Sequence, residues 1–192
     1  MIMIVGGRRI DAHNATVRRF PLRNLGMVRE RLRVALDQCS PTVMISSAAA
    51  GADLLALEEA RRRGIRRRVF LPFSPERFRQ TSVSDVPGDW GPMFDEICAH
   101  LQGSQDLVVM AENRGRKPND SAYLTTILTM LDDAVSLSGH SRESEQQPHS
   151  TTHDIIALAI WDGVSRGAND MTAHFISEAH ARGIQVIEVS TL

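Results

Sequence analysis

Six short apolar runs are spaced along the chain so that about one helix fits in each gap, and this alternation restricts the fold more than any other feature. The runs cover residues 1–5, 42–46, 68–73, 107–110, 155–161 and 185–189. They are apolar on both alternating faces, as strands buried between two layers must be. Between them lie stretches of helical periodicity. Leu25, Val28, Leu32, Ala35 and Leu36 share a face of a helix ending near Ser40-Pro41, and Ala52, Leu55, Ala56 and Glu59 form the next, stopped by Gly64. A short helix is expected over 90–100. A long one over 120–137 carries Leu124, Ile127, Leu128, Leu131 and Val135 at i, i+3, i+4, i+7 spacing. A last helix starts near Asp170 and stops at Gly183, with Phe175, Ile176 and Ala179 inward. Right-handed crossovers leave few arrangements for such a chain. The expectation is an α/β fold, Rossmann-like and doubly wound, with a mostly parallel sheet of about six strands and helices on both faces.

At 192 residues the chain is long enough for one full core, so residues 1–192 are read as a single domain. Segment 138–152, SGHSRESEQQPHSTT without one large apolar residue, is expected to be a flexible polar surface loop. The formal net charge of −1 provides no global field to gather nucleic acid or an anionic membrane. Cys39 and Cys98 stand apart from any zinc or redox spacing, and the seven histidines form no metal-ligand pattern. No metal and no cofactor are expected. The longest apolar run has seven residues, against roughly 20 for a membrane helix, and the amino terminus lacks signal-peptide features. A cytoplasmic protein without membrane contact is expected.

Ligands of open parallel sheets bind beyond the carboxyl ends of the strands, near the point where strand order reverses. After the first run stand Gly6, Gly7, Arg8, Arg9, Ile10 and Asp11, two glycines that let a ligand approach and then cations and a carboxylate. After the second come Ser46, Ser47 and small residues to Gly51, Ala52 and Asp53, leading into a helix whose exposed amides suit an anion. The loop after the third holds Glu76, Arg79 and Thr81, groups that recognise phosphate and ribose oxygens. After the fifth, Asp162 to Asp170 is punctuated by Gly163 and Gly167, a second candidate anion cradle with Asn169 or Asp170 as a plain helix cap in the alternative. Neither the Gly-x-Gly-x-x-Gly fingerprint nor a Walker lysine loop is present, which argues against an NAD dehydrogenase or P-loop NTPase. The arginines at 61, 62, 63, 66, 67 and 68 fall where a helix ends and a strand starts, on the opposite rim, and are read as solvated surface rather than a nucleic-acid site.

Together, Gly6-Gly7-Arg8-Arg9-Ile10-Asp11, Arg19-Phe20-Pro21, the run from Ser46 to Asp53, Leu71-Pro72-Phe73, the run from Phe78 to Val83, Trp90 and Asn119-Asp120 resemble the SLOG superfamily. This is the Rossmann-like group that includes the Lonely-guy phosphoribohydrolases and the DNA-processing protein A fold. The likeness is strongest to its bacterial sensor-like members, in which a histidine stands where this chain has Arg8. It implies a domain, often a homo-oligomer, that binds a small nucleotide or nucleotide-derived ligand. Where Lonely-guy enzymes carry Pro-Gly-Gly-x-Gly-Thr-x-x-Glu, this chain has Asp162 to Asp170, with Ala168 for the threonine and Asp170 for the acid.

The expected function is therefore a nucleotide-binding or sensing domain. Its expected contacts are Gly6, Gly7, Arg8, Asp11, Ser46, Ser47, Gly51, Asp53, Arg79, Thr81, Asn119, Asp120, Gly163, Gly167 and Asn169. The alternative is a nucleoside 5′-monophosphate N-glycosidase with Asp170 or Glu76 as its carboxylate.

Overall fold

A computed structural model describes residues 1–110, 120–140 and 154–192. Six strands, β1 (Ile2–Gly7), β2 (Val43–Ser46), β3 (Arg66–Leu71), β4 (Leu107–Val109), β5 (Ile155–Trp161) and β6 (Gln185–Ser190), form one sheet. Their order is β4-β3-β2-β1-β5-β6 and every pairing is parallel. Six α-helices accompany it: α1 (Leu25–Cys39), α2 (Ala52–Arg62), α3 (Pro75–Phe78), α4 (Gly91–Leu101), α5 (Asp120–His140) and α6 (Met171–Ala181). The architecture is Rossmann-like.

The period-two alternation of the strands builds two apolar layers. Met3 and Val5 of β1 and Ile156, Leu158 and Ile160 of β5 pack with Val28 and Leu32 of α1, Leu54 and Leu57 of α2 and Phe94 and Ile97 of α4. Ile2 and Ile4, with Ile155, Ala157 and Ala159, face the other way onto Ile127, Met130 and Leu131 of α5 and Phe175 and Ala179 of α6. The chain winds outward from β1 through β4, then crosses back under α5 to place β5 on the free side of β1. Strand order thus reverses between β1 and β5.

Several boundaries differ from the sequence expectation. Strand β1 runs to Gly7 rather than Val5, so Gly6 and Gly7, expected in the loop after it, are strand residues paired with Ala159 and Ile160 of β5. Strand β3 starts at Arg66 and ends at Leu71, because Arg66 and Arg67 pair with Val43 and Met44 of β2 before the apolar residues begin. Helix α5 continues past Leu137 through Ser138 and Gly139 to His140, and Ser138 is buried, so the segment expected to be loop from 138 begins as helix. The rest of it, 141–152, lies outside the described residues. Finally, the stretch after β3 is helical: α3 passes into a π-turn, Arg79–Val83.

Candidate functional site

Beyond the carboxyl ends of β1 and β5 the two loops are tied together by Arg8. Its Nε donates to Asp162 Oδ1 (2.7 Å), Nη1 to Asp170 Oδ1 (2.6 Å) and Nη2 to the Val164 carbonyl (2.6 Å), and its side chain is 3% exposed. The guanidinium also lies over the Trp161 ring, 5.5 Å from its centroid. Arg19 Nη1 donates to the second oxygen of Asp162 at 2.5 Å. A buried ion cluster of this kind joins β1 to the α6 loop, and breaking it leaves uncompensated charge.

Asp170 is the N-cap of α6. Its carboxylate accepts from the backbone N–H groups of Thr172 (3.0 Å), Ala173 (3.3 Å) and Arg166 (2.7 Å) as well as from Arg8. Burial opposes its ionisation, but the Arg8 and backbone hydrogen bonds outweigh burial and hold its pKa at about 2. The anion at this helix start is the chain's own. Asp162 is likewise pulled below the usual carboxylate range, where burial is outweighed by Arg8 and Arg19.

In front of this cluster opens a cleft of about 820 Å³. Gly6 and Gly7 form its base, and the segment after β1 contributes Arg8, Arg9, Asp11, Ala15, Val17 and Arg19. Ser47, Ala49 and Asp53 come from the β2–α2 junction, Phe78 from the end of α3, Ser82 from the π-turn and Asp85 from just beyond it. Helix α5 supplies Asp120, Tyr123, Ile127 and Met130; the α6 side supplies Arg166, Asn169, Met171, Thr172 and Phe175.

Several of these groups have internal duties. Asp11 accepts from the backbone N–H groups of Arg19 and Phe20 at 3.0–3.1 Å, closing the turn that forms one lip. Ser47 Oγ donates to Met130 Sδ at 3.2 Å. The Tyr123 hydroxyl meets Ser82 Oγ at 3.0 Å, and its ring stands edge-on to Phe73. Asp53 differs. Burial pushes its carboxyl up to about 7, against the lowering effect of the Ala49 N–H (3.2 Å) and of Arg9. Arg9 pairs with Asp85 through Nη2, while its Nε is buried and has no hydrogen-bond partner among the described residues.

Of the residues expected at the site, the cleft wall contains Gly6, Gly7, Arg8, Asp11, Ser47, Asp53, Asp120 and Asn169. It does not contain Ser46, Gly51, Arg79, Thr81, Gly163, Gly167, Glu76 or Asp170. Ser46 is fully buried. Arg79 pairs with Asp95 at 2.8 Å, the Thr81 hydroxyl donates to the Arg77 carbonyl at 3.1 Å, and Glu76 is exposed. Asn119 lies outside the described residues. Gly51 is required by the chain itself: it adopts φ +110°, and a Cβ there would sit 2.8 Å from the Arg8 carbonyl oxygen and the Ile10 nitrogen. Gly7 is equally confined, since a Cβ would collide with the Ile160 carbonyl oxygen. Sequence reasoning placed Arg9 and Arg166 in candidate loops without singling them out, and missed Tyr123, Met130 and Phe175 as cleft residues. Tyr123, the single tyrosine of the chain, directly precedes the apolar stripe of α5, one turn before Ile127, and was the available signal.

Compared with protein-family models the chain matches none, and no curated protein matches it. Among the described residues, no group of three His, Cys, Asp or Glu side chains could hold a metal ion, and no helix is long and apolar enough to cross a membrane.

Proposed function

We propose that the cleft between the ends of β1 and β5 binds a nucleotide or nucleotide-derived ligand, as the resemblance to SLOG sensor-like domains implies. The observation that carries this reading is Arg9. Arg9 lines the cleft at the strand-order reversal and its buried Nε has no acceptor among the described residues, and a buried donor left unpaired is costly unless a ligand or water meets it. The rest of the wall is divided as a nucleotide is. Tyr123, Ile127, Met130 and Phe175 offer an apolar and aromatic face for a base, Arg9 and Arg166 offer cations for phosphate, and Asp53 and Asp120 offer acceptors for sugar hydroxyls.

The test is a thermal-shift screen across nucleoside monophosphates, cyclic dinucleotides and ADP-ribose derivatives. At a hundred times Kd a ligand adds about 2.7 kcal/mol, which for a chain of this size raises Tm by roughly 5–10 °C. Arg9→Gln should remove most of that rise. A screen in which no member shifts the wild type would refute the reading.

A second reading, N-glycosidic hydrolysis of a nucleoside monophosphate, is favoured by one observation: the cleft holds a carboxyl, Asp53, with a pKa of about 7. A group poised near neutrality can act as a general acid. Asp170, engaged as a helix cap, and Glu76, outside the cleft, are poorly placed for that role. Chromatography for free base after incubation with AMP and GMP separates the readings. Base released by wild type and lost in Asp53→Asn would favour the hydrolase; intact nucleotide favours the binding domain.

A further inference from the structure

The arginine-rich rim at the amino end of β3 contains one guanidinium with no close ion-pair partner among the described residues. Arg61 and Arg62 pair with Glu58, Arg63 with Glu59, Arg66 with Asp106, and Arg68 with Asp133, all with at least one contact at or below 3.0 Å. Arg67 does not share in this. Its side chain is 5% exposed, its nearest carboxylate oxygen, on Glu96, is 4.0 Å away, and its Nη1 is buried without a hydrogen-bond partner among the described residues. An apolar side chain would be the cheaper occupant of such a place, since a buried cation without close partners is costly.

Arg67 lines a recess of about 510 Å³ between the end of α2, the start of β3 and the last turn of α4, with Arg61, Arg66, Glu96, His100 and Asp106 around it. The recess is at the amino ends of the strands, opposite the carboxyl-end cleft, on the face covered by α2 and α4. Around it, four guanidinium groups, at 61, 62, 66 and 67, stand against three carboxylates, Glu58, Glu96 and Asp106. One positive charge is in excess across the group, because Arg61 and Arg62 share Glu58, and Arg67 is the one member with no carboxylate oxygen closer than 4.0 Å. The planar fork of a guanidinium matches two oxygens of a carboxylate or phosphate. Because the neighbouring arginines are already engaged by Glu58 and Asp106, the rim lacks the run of free cations that a nucleic-acid backbone needs.

We infer that this recess is a second ligand site, in which Arg67 receives the singly charged oxyanion group of a small molecule, a phosphate or a carboxylate. The site is independent of the cleft at β1 and β5. Glu96 sets its selectivity, because a carboxylate 4.0 Å from the cation disfavours highly charged anions.

The experiment is an amide NMR titration of the intact protein with inorganic phosphate and, separately, with acetate, at constant ionic strength in chloride. Saturable shifts are expected at Ile65, Arg67, Glu96 and Leu101 with a Kd of about 1 mM. Shifts with phosphate alone identify a phosphate ligand, and shifts with acetate alone a carboxylate. In Arg67→Met, which keeps the side-chain length and removes the unpaired charge, the affinity should fall at least about tenfold. No saturable shift at these amides with either anion in the wild type, or equal affinity in Arg67→Met, would overturn the assignment. Should that variant fail to fold, the wild-type titration decides alone, because absence of shifts at the recess refutes the site and their localisation there supports it.

Discussion

Two aspartates near the cleft have pKa values displaced in opposite directions, and each leaves its own mark on the pH dependence of stability. Asp170 is lowered from 3.8 to about 2, so its contribution is complete above pH 4 and is lost as pH falls towards 2. The difference is worth about 2 kcal/mol. Asp53 is raised from 3.8 to about 7. Between those values the native state holds a proton that the unfolded chain has released, so stability falls as pH rises from about 4 to 7, by up to ~4 kcal/mol. Asp53→Asn should therefore melt close to wild type at pH 4 and well above it at pH 8. Equal pH profiles for the two proteins, followed by calorimetry, would show that Asp53 is not desolvated. Arg8 gives the complementary case. Arg8→Met leaves Asp162 with Arg19 alone and the buried Asp170 with only Arg166, 3.6 Å away, a loss of roughly 3–5 kcal/mol, and Tm should fall by about 10 °C or more. A variant melting within a few degrees of wild type would mean that the cluster is hydrated.

At the scale of elements, β1 decides most. It lies between β2 and β5, with Ile4 fully buried against α5 and α6. Ile4→Asp should yield no soluble, cooperatively melting protein, since an unpaired interior charge removes much of a total stability of roughly 5–15 kcal/mol. Soluble expression with a sharp melting transition would contradict that placement. The strands were legible in the sequence because each is a short run apolar on both faces, and α1, α2 and α6 because their stripes end at Pro41, Gly64 and Gly183. The π-turn after α3 was not legible. Pro72 and Pro75 read as loop punctuation, and nothing in Arg79 to Val83 announces helical backbone to a period-based reading. The site was legible only in part for a related reason. Glycines and cations in a motif look alike whether they meet a ligand or the chain itself, and only packing shows that Gly51 clears Arg8 and Ile10 and that Arg8 is consumed by Asp162 and Asp170. The apolar stripe of α5 hides the opposite case. Ile127 of that stripe and the neighbouring Met130 are buried in the same core layer as Leu131 and also line the cleft.

The whole molecule has one place where its topology opens a crevice, and the chain closes the helix start nearest to it with its own carboxylate. Asp170 occupies the amides of α6 that a bound phosphate would otherwise use. In the proposed site anion recognition would therefore fall to side chains, Arg9 and Arg166 in the cleft, and side-chain cations are screened by salt more readily than a helix start buried in the fold. Ligand affinity should accordingly fall as salt rises, and calorimetric titrations at two ionic strengths would check this, an unchanged Kd arguing for backbone recognition. The most direct test of the central claim is an amide NMR map of the intact protein titrated with AMP and GMP. Saturable shifts are expected, confined to Gly6 through Asp11, Ala49 through Asp53 and Tyr123, and reduced in Arg9→Gln. Shifts absent with both nucleotides, or centred away from the ends of β1 and β5, would contradict it.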